Sequence, residues 1–318
     1  MSFQRYSQMF IVLFAVAAII TGCADSVPEP EVTVDLSMDT LVSTEWLSEH
    51  LNDPDLVVLD CSVKIVQDET NGFMPESGRA DYEAGHIPSA GFADLLVDLS
   101  DSESQLGFAV PTPEKFAAAM GALGVGNDSR VVLYDASNSA WAARVWWMLR
   151  WVGFDQAALL DGGLAAWTAE ERPMSTEPAH RSAKTLTPAP RPELIADRDE
   201  VLAATDDDSV WIIDALPEES FRGEMVMYAR PGHIMSASNI PIFSLLDETG
   251  HYRPEAELAA LHDGDQTARA ITYCGGGIAA SSNAFVMTRL GYTDVAVYTA
   301  SLQEWAADPT LPMEVVVP

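Results

Sequence analysis

The sequence predicts an α/β fold in two homologous domains, each a mainly parallel central sheet flanked by helices, and three observations carry that expectation. Four landmarks recur in the same order at offsets of roughly 140 to 150 residues, about one domain length. Short apolar runs rich in Val and Ile alternate with helical patterns, which is how strands of a parallel sheet and their crossover helices read. The length of 318 residues suits about two cores once a targeting segment is set aside.

Residues 1–23 read as an export signal. Arg5 precedes the apolar run 9–20, about a dozen residues and short for a membrane-crossing helix. The run ends in Ile20-Thr21-Gly22-Cys23, which resembles a bacterial lipobox with Cys23 as the lipidated residue. Residues 24–40 are polar and acidic, with Pro28 and Pro30, and read as a flexible tether to a membrane. Ala24 after the cysteine resembles lipoproteins sorted to the outer membrane, so the expected location is lipid-anchored and facing the periplasm.

The first domain, 41–175, carries Leu56-Val57-Val58-Leu59-Asp60, Gly85-His86-Ile87-Pro88-Ser89-Ala90, Val131-Val132-Leu133-Tyr134-Asp135 and Gly162-Gly163-Leu164-Ala165-Ala166-Trp167. Its clearest elements are a buried strand over 131–134 and an amphipathic helix over 142–151. Residues 176–192 hold Pro178, Pro188, Pro190 and Pro192 and should connect the domains, since proline resists both helix and sheet. The second domain, 193–318, repeats the landmarks as Val210-Trp211-Ile212-Ile213-Asp214, Gly232-His233-Ile234-Met235-Ser236-Ala237, Ala270-Ile271-Thr272-Tyr273-Cys274 and Ser301-Leu302-Gln303-Glu304-Trp305. Here the strand falls at 270–273 and the helix at 279–290.

Composition narrows the function. The chain is 48% hydrophobic and 20% charged, as a folded protein is, with 48 Asp+Glu against 17 Lys+Arg and a formal net charge of −31. Such a surface repels phosphates, which argues against a nucleic-acid partner. With Cys23 set aside, Cys61 and Cys274 are too few for a disulfide scaffold. No Cys-x-x-Cys or His-Glu-x-x-His occurs, so the expectation is no metal.

The stretch Ile271-Thr272-Tyr273-Cys274-Gly275-Gly276-Gly277-Ile278-Ala279-Ala280-Ser281 is the most informative. A strand delivers Cys274 to the carboxyl edge of the sheet, and three glycines precede a helix. Glycines let successive N–H groups converge into an anion-binding nest, and the helix adds the positive end of its dipole. A thiolate, or a persulfide anion, is expected to be favoured in that cradle.

Taken in order, these motifs make the chain similar to the tandem rhodanese sulfurtransferases over about residues 41 to 313. The resemblance implies two rhodanese-like domains, the second active and the first inactive, with Asp135 where the second has Cys274. It implies that Cys274 accepts sulfane sulfur from thiosulfate or 3-mercaptopyruvate and passes it to cyanide or a thiol. The backbone of Gly275, Gly276, Gly277, Ile278 and Ala279 would hold the persulfide, with no cofactor, in a monomer. The family grips its donor with the first Arg of an Arg-Phe-x-Gly segment, where this chain has Ser220-Phe221-Arg222-Gly223; Arg230 or Arg222 is expected to substitute.

Other residues read as structural: His86 and His233 in turns, Asp60 and Asp214 orienting loops, Cys61 in the core. Trp146, Trp147 and Trp151 read as core or interdomain packing, and Trp167 and Trp305 as matched packing residues. Two competing functions remain. A cysteine phosphatase needs Cys-x5-Arg, and this loop is a residue short and has no arginine there. A non-catalytic sulfur- or ligand-binding lipoprotein of the same fold draws support from Ser220.

Overall fold

In a computed structural model of the chain, residues 38–68 and 72–316 are described. The expected export signal, Cys23 and most of the expected 24–40 tether lie outside them. No helix among the described residues is long and apolar enough to cross a membrane.

The first domain runs β1 (Leu41–Val42), α1 (Thr44–His50), β2 (Leu56–Asp60), β3 (Val63–Asp68), β4 (Gly72–Ser77), α2 (Arg79–Ala84), β5 (Gly91–Phe92), α3 (Pro113–Ala122), β6 (Arg130–Tyr134), α4 (Ala140–Trp151), β7 (Ala157–Leu160) and α5 (Gly163–Ala169). The second runs β8 (Ile195–Ala196), α6 (Arg198–Ala204), β9 (Trp211–Asp214), α7 (Glu218–Phe221), β10 (His233–Ile234), β11 (Ser238–Asn239), α8 (Glu255–Leu261), β12 (Ala270–Tyr273), α9 (Ile278–Arg289), β13 (Val295–Tyr298), α10 (Ser301–Trp305) and β14 (Met313–Glu314). Each domain has a five-stranded parallel sheet, ordered β1-β7-β6-β2-β5 and β11-β9-β12-β13-β8. Read from opposite ends, the two orders match strand for strand.

The central strands β2, β6, β7, β12 and β13 are buried at every residue. They read as continuous apolar runs because helices cover both sheet faces, leaving no solvent side to alternate toward. The repeat extends to side chains. Tyr134 Oη accepts from the Ile87 amide and Tyr273 Oη from the Ile234 amide. Trp167 Nε1 donates to the Pro173 carbonyl and Trp305 Nε1 to the Pro312 carbonyl. His86 and His233 each set Nδ1 2.7 Å from a backbone carbonyl, of Tyr82 and Phe221. Their place is structural, as the turns predict.

The domains meet through the helices that follow the two loops. Helix α4 buries eleven of its 12 residues and α9 packs directly against it. Trp146 meets Phe285 edge-on with ring centroids 4.9 Å apart. The proline-rich stretch between the domains lies against the first: amides of Lys184, Ala189 and Arg191 donate to carbonyls of Gly121, Val152 and Trp151, and Leu186 is buried. One feature lacks a counterpart in the second domain. Strands β3 and β4 form an antiparallel arm, with Ile65 56% exposed.

Candidate active site

Helix pairing places the loop after β6 and the loop after β12 side by side, facing a cleft of about 730 Å³ between the domains. Ala136, Ser137 and Asn138 line it from the first domain, and Cys274, Gly275 and Gly276 from the second. The arm β3–β4 forms one wall, through Lys64, Ile65 and Val66. Cys274 is only 3% exposed, yet it borders the cleft.

The two loops perform the same construction with different contents. In the first, the Asp135 carboxylate accepts from four backbone amides: Ser137 at 2.8 Å and Ser139 at 3.1 Å on Oδ1, Trp141 at 3.1 Å and Ala142 at 3.0 Å on Oδ2. The nest at the start of α4 thus holds an anion from its own chain. In the second loop the carbonyls are tied down: Cys274 O by the Leu302 amide, Gly275 O by the Gln303 amide, Gly277 O by Ser281 Oγ and Arg144 Nη1. The Cys274 amide donates to Ser301 Oγ at 3.1 Å. The amides of Gly275, Gly276, Gly277, Ile278 and Ala279 have no partner among the described residues. They follow Cys274 in sequence, where the corresponding amides of the first domain are taken up by the Asp135 carboxylate.

The three glycines answer to three neighbours. A Cβ at Gly275 would collide with Tyr228 Oη and one at Gly276 with Gln303 Nε2. At Gly277, φ is +78° and a Cβ would lie 2.7 Å from Arg144 Nη1. Glycine is most firmly required at Gly277, where the backbone angle and the Thr299 backbone 3.0 Å away both exclude a side chain.

The cations differ from expectation. Arg230 does not enter the cleft: its guanidinium donates to the carbonyls of Trp305, Ala306, Asp308 and Leu311 at 2.6 to 3.0 Å, closing the end of α10. Arg222 pairs with Glu218 one helical turn away, in a separate surface recess with Phe221 and Asn239. Neither arginine is among the residues that line the cleft, each being held by backbone carbonyls or by an acid elsewhere. Ser220, at the position of the family arginine, is itself buried.

Sequence reasoning missed Arg144. It is 1% exposed, donates across the domain boundary to Gly277 O at 3.3 Å and to Phe108 O at 2.9 Å, and its Nε has no partner. Burial lowers its pKa to about 10, opposed by attraction to a charge on Cys274, so it stays cationic near neutral pH. A signal existed: one helical turn before and after Arg144 lie Ala140, Trp141, Trp147 and Met148, so its side of the helix has no polar neighbour to carry it to solvent. Tyr228, also missed, borders the cleft, and burial followed by the charge of Cys274 raises its phenol. It therefore remains a hydrogen-bond donor. Cys61, by contrast, is fully buried, with its thiol pushed up by desolvation and then by Asp60 and Asp135.

Comparison with known proteins agrees with this geometry. The Rhodanese-like domain family matches residues 43–170 and again 197–308. The chain is 33% identical over 292 residues to a 3-mercaptopyruvate sulfurtransferase of Escherichia coli (strain K12), covering 88% of this chain and 100% of that one. It is 32% identical over 305 residues to the mitochondrial thiosulfate/3-mercaptopyruvate sulfurtransferase 1 of Arabidopsis thaliana, covering 87% and 79%. The crystal structure of an Escherichia coli 3-mercaptopyruvate sulfotransferase superposes with a TM-score of 0.74 at 31% identity, over 83% of this chain and 99% of that one. Doubled domains, matched sheets and a cysteine at the second loop have one family in common, and the chain belongs to the tandem rhodanese-domain thiosulfate/3-mercaptopyruvate sulfurtransferases.

Proposed function

We propose that Cys274 is the nucleophile of this sulfurtransferase and carries the transferred sulfur as a persulfide between a small donor, such as thiosulfate or 3-mercaptopyruvate, and a thiol or cyanide acceptor. The observation that carries the reading is the pair of loops: where the first loop's amides hold the Asp135 carboxylate, the amides after Cys274 have no partner among the described residues and the loop opens on the cleft. With thiosulfate, the thiolate attacks the outer sulfur, the S–S bond to the sulfonate breaks, and sulfite leaves with the electron pair. The persulfide keeps one negative charge, facing amides 275–279 with Arg144 behind Gly277. An acceptor thiolate or cyanide then takes the outer sulfur and regenerates the Cys274 thiolate. Tyr228 is positioned to donate a hydrogen bond to the departing anion.

The export reading is part of the proposal. The lipobox-like Ile20-Thr21-Gly22-Cys23 and the acidic tether support a lipid anchor at Cys23 with the two domains facing the periplasm. Labelling cells with a radioactive fatty acid tests it: incorporation should be lost in Cys23→Ala.

Sulfur transfer is tested by intact mass. Incubation with donor should add one sulfur atom at Cys274, and Cys274→Ser should lose at least about 10³-fold of turnover while melting normally. Full turnover in a folded Cys274→Ser protein would end the assignment and leave a binding role.

A further inference from the structure

We propose that the donor this site prefers is an organic sulfane-sulfur compound, with a terminal sulfur borne on an apolar group, over the small dianion thiosulfate. The inference rests on the sulfur-transfer reading above and names its substrate class.

Three observations point the same way. First, the cleft wall around Cys274 is apolar: Ile65, Phe108, Trp141, Leu216, Ile242 and Ile278 line it, and the Phe108 and Trp141 rings meet at 5.3 Å. At about 730 Å³ it is large for thiosulfate, with its three oxygens and two sulfurs, and suited to an arene or alkyl chain. Second, the cations are committed. Among the described residues Lys64 is the one Lys or Arg lining the cleft, and its ammonium lies 3.3 Å from both Glu76 and Asp81. Arg222 and Arg230 are held elsewhere. Arg144 lies behind Gly277 and can offset one charge, that of the thiolate or persulfide. Third, the net charge of −31 opposes approach of a dianion about twice as strongly as that of a monoanion.

The chemistry balances without a further reactant. With a thiosulfonate, RSO₂S⁻, the Cys274 thiolate attacks the terminal sulfur and the S–S bond breaks. The electron pair leaves on the sulfinate RSO₂⁻, and the Cys274 persulfide carries the remaining negative charge. No proton moves. The apolar group R rests against Phe108, Trp141 and Ile242, and its burial supplies the binding that a donor-gripping arginine at position 220 would otherwise give.

The test compares benzenethiosulfonate, methanethiosulfonate, thiosulfate and 3-mercaptopyruvate, each rate of Cys274 persulfidation being divided by the rate with free cysteine. The expected kcat/KM for benzenethiosulfonate exceeds each of the other three by at least about tenfold, the order of burying several apolar carbons. Ile65→Lys, at an exposed position on the arm, should raise kcat/KM for thiosulfate several-fold and leave the arene donor unimproved. If thiosulfate or 3-mercaptopyruvate loads Cys274 as well as the arene donor, or if Ile65→Lys leaves thiosulfate unchanged, the donor class is overturned while sulfur transfer stands. If no donor adds sulfur to Cys274, both readings fail.

Discussion

Cys61 and Cys274 each follow a central parallel strand, and both are nearly inaccessible, yet their surroundings divide them. Cys61 faces only core and two carboxylates, which disfavour its thiolate. Cys274 faces amides, a cleft and, across the domain boundary, a guanidinium. Arg144 is the residue whose charge can be separated from its packing by experiment. Replacing it with methionine keeps much of its volume, removes a buried cation with an unpartnered Nε, and takes a donor from the Phe108 carbonyl, while Gly277 O keeps Ser281 Oγ. The stability terms oppose each other, so Arg144→Met should shift the melting temperature by no more than a few degrees. Persulfide formation has no such offset and should slow by about tenfold, with kcat rather than KM taking the loss. A folded Arg144→Met protein that loads sulfur at the normal rate would show the arginine to be a packing residue. The contrast with Arg230 shows what sequence can and cannot convey. Proximity along the chain to the Gly-His-Ile turn suggested Arg230, but four carbonyls at and just after the end of α10, 75 to 81 residues later, claim its guanidinium.

Elements were legible to the extent that their burial was regular. Strands β6 and β12 and helices α4 and α9 stand out because a short, mainly apolar run ends at a loop and a helix rich in apolar residues follows. Only a residue or two separates their expected bounds from the observed ones. The two-residue strands β1, β5, β8 and β11 carry no periodicity to detect. The arm β3–β4 was missed for a different reason: among its described side chains only Val63 is buried, so no apolar run marks it. It nevertheless forms a wall of the cleft, so part of the site was hidden with it. The α4–α9 pair was foreseeable only as packing tryptophans, since sequence does not say which helix receives them. That pair holds the two loops together, and Trp146 is its hinge, with its ring on Phe285 and Nε1 donating to Ala157 O at 3.1 Å. Trp146→Ala should cost about 3–5 kcal/mol, the usual range for a large core side chain. Because the cleft spans the domains, sulfur loading per folded molecule should fall as well, whereas Trp146→Phe should retain most of both. Denaturant melts with parallel mass measurements check this. Normal loading in a destabilised Trp146→Ala protein would mean that the joint serves stability alone.

For the whole molecule, the excess of carboxylates makes pH a structural variable, and its sign can be worked out. Burial raises Asp214 to about 6 and moves Asp60, its counterpart in the first domain, in the same direction. Asp214 Oδ1 accepts from the Leu216 amide and Oδ2 is buried, and burial outweighs the help that Leu216 and Tyr273 give the charged form. Such a group binds its proton more tightly folded than unfolded, so stability should grow as pH falls through about 6 and level off below the unfolded value near 4. The full difference for Asp214 is roughly 3 kcal/mol, of which about half is gained between pH 7 and 5. Protonating acids against a net charge of −31 also eases self-repulsion in that window. The exposed Asp207, Asp247, Asp265 and Asp308 have the opposite sign, being held low by turn hydrogen bonds from Ser209, Thr249, Thr267 and Thr310. The stability they give is complete above the ordinary aspartate value and is lost as pH falls through their lower folded values, so the two windows do not overlap. The melting temperature should therefore rise on acidification from pH 7 to about 5 and collapse below about pH 3.5. Salt separates the two causes of the rise, because about 0.5 M salt screens surface repulsion and leaves a buried desolvation cost in place. In that salt the wild-type protein should keep part of its rise, and Asp214→Asn, which cannot take up the proton, should lose most of what remains. An unchanged pH slope in the asparagine variant would place the effect on the surface and remove Asp214 from it.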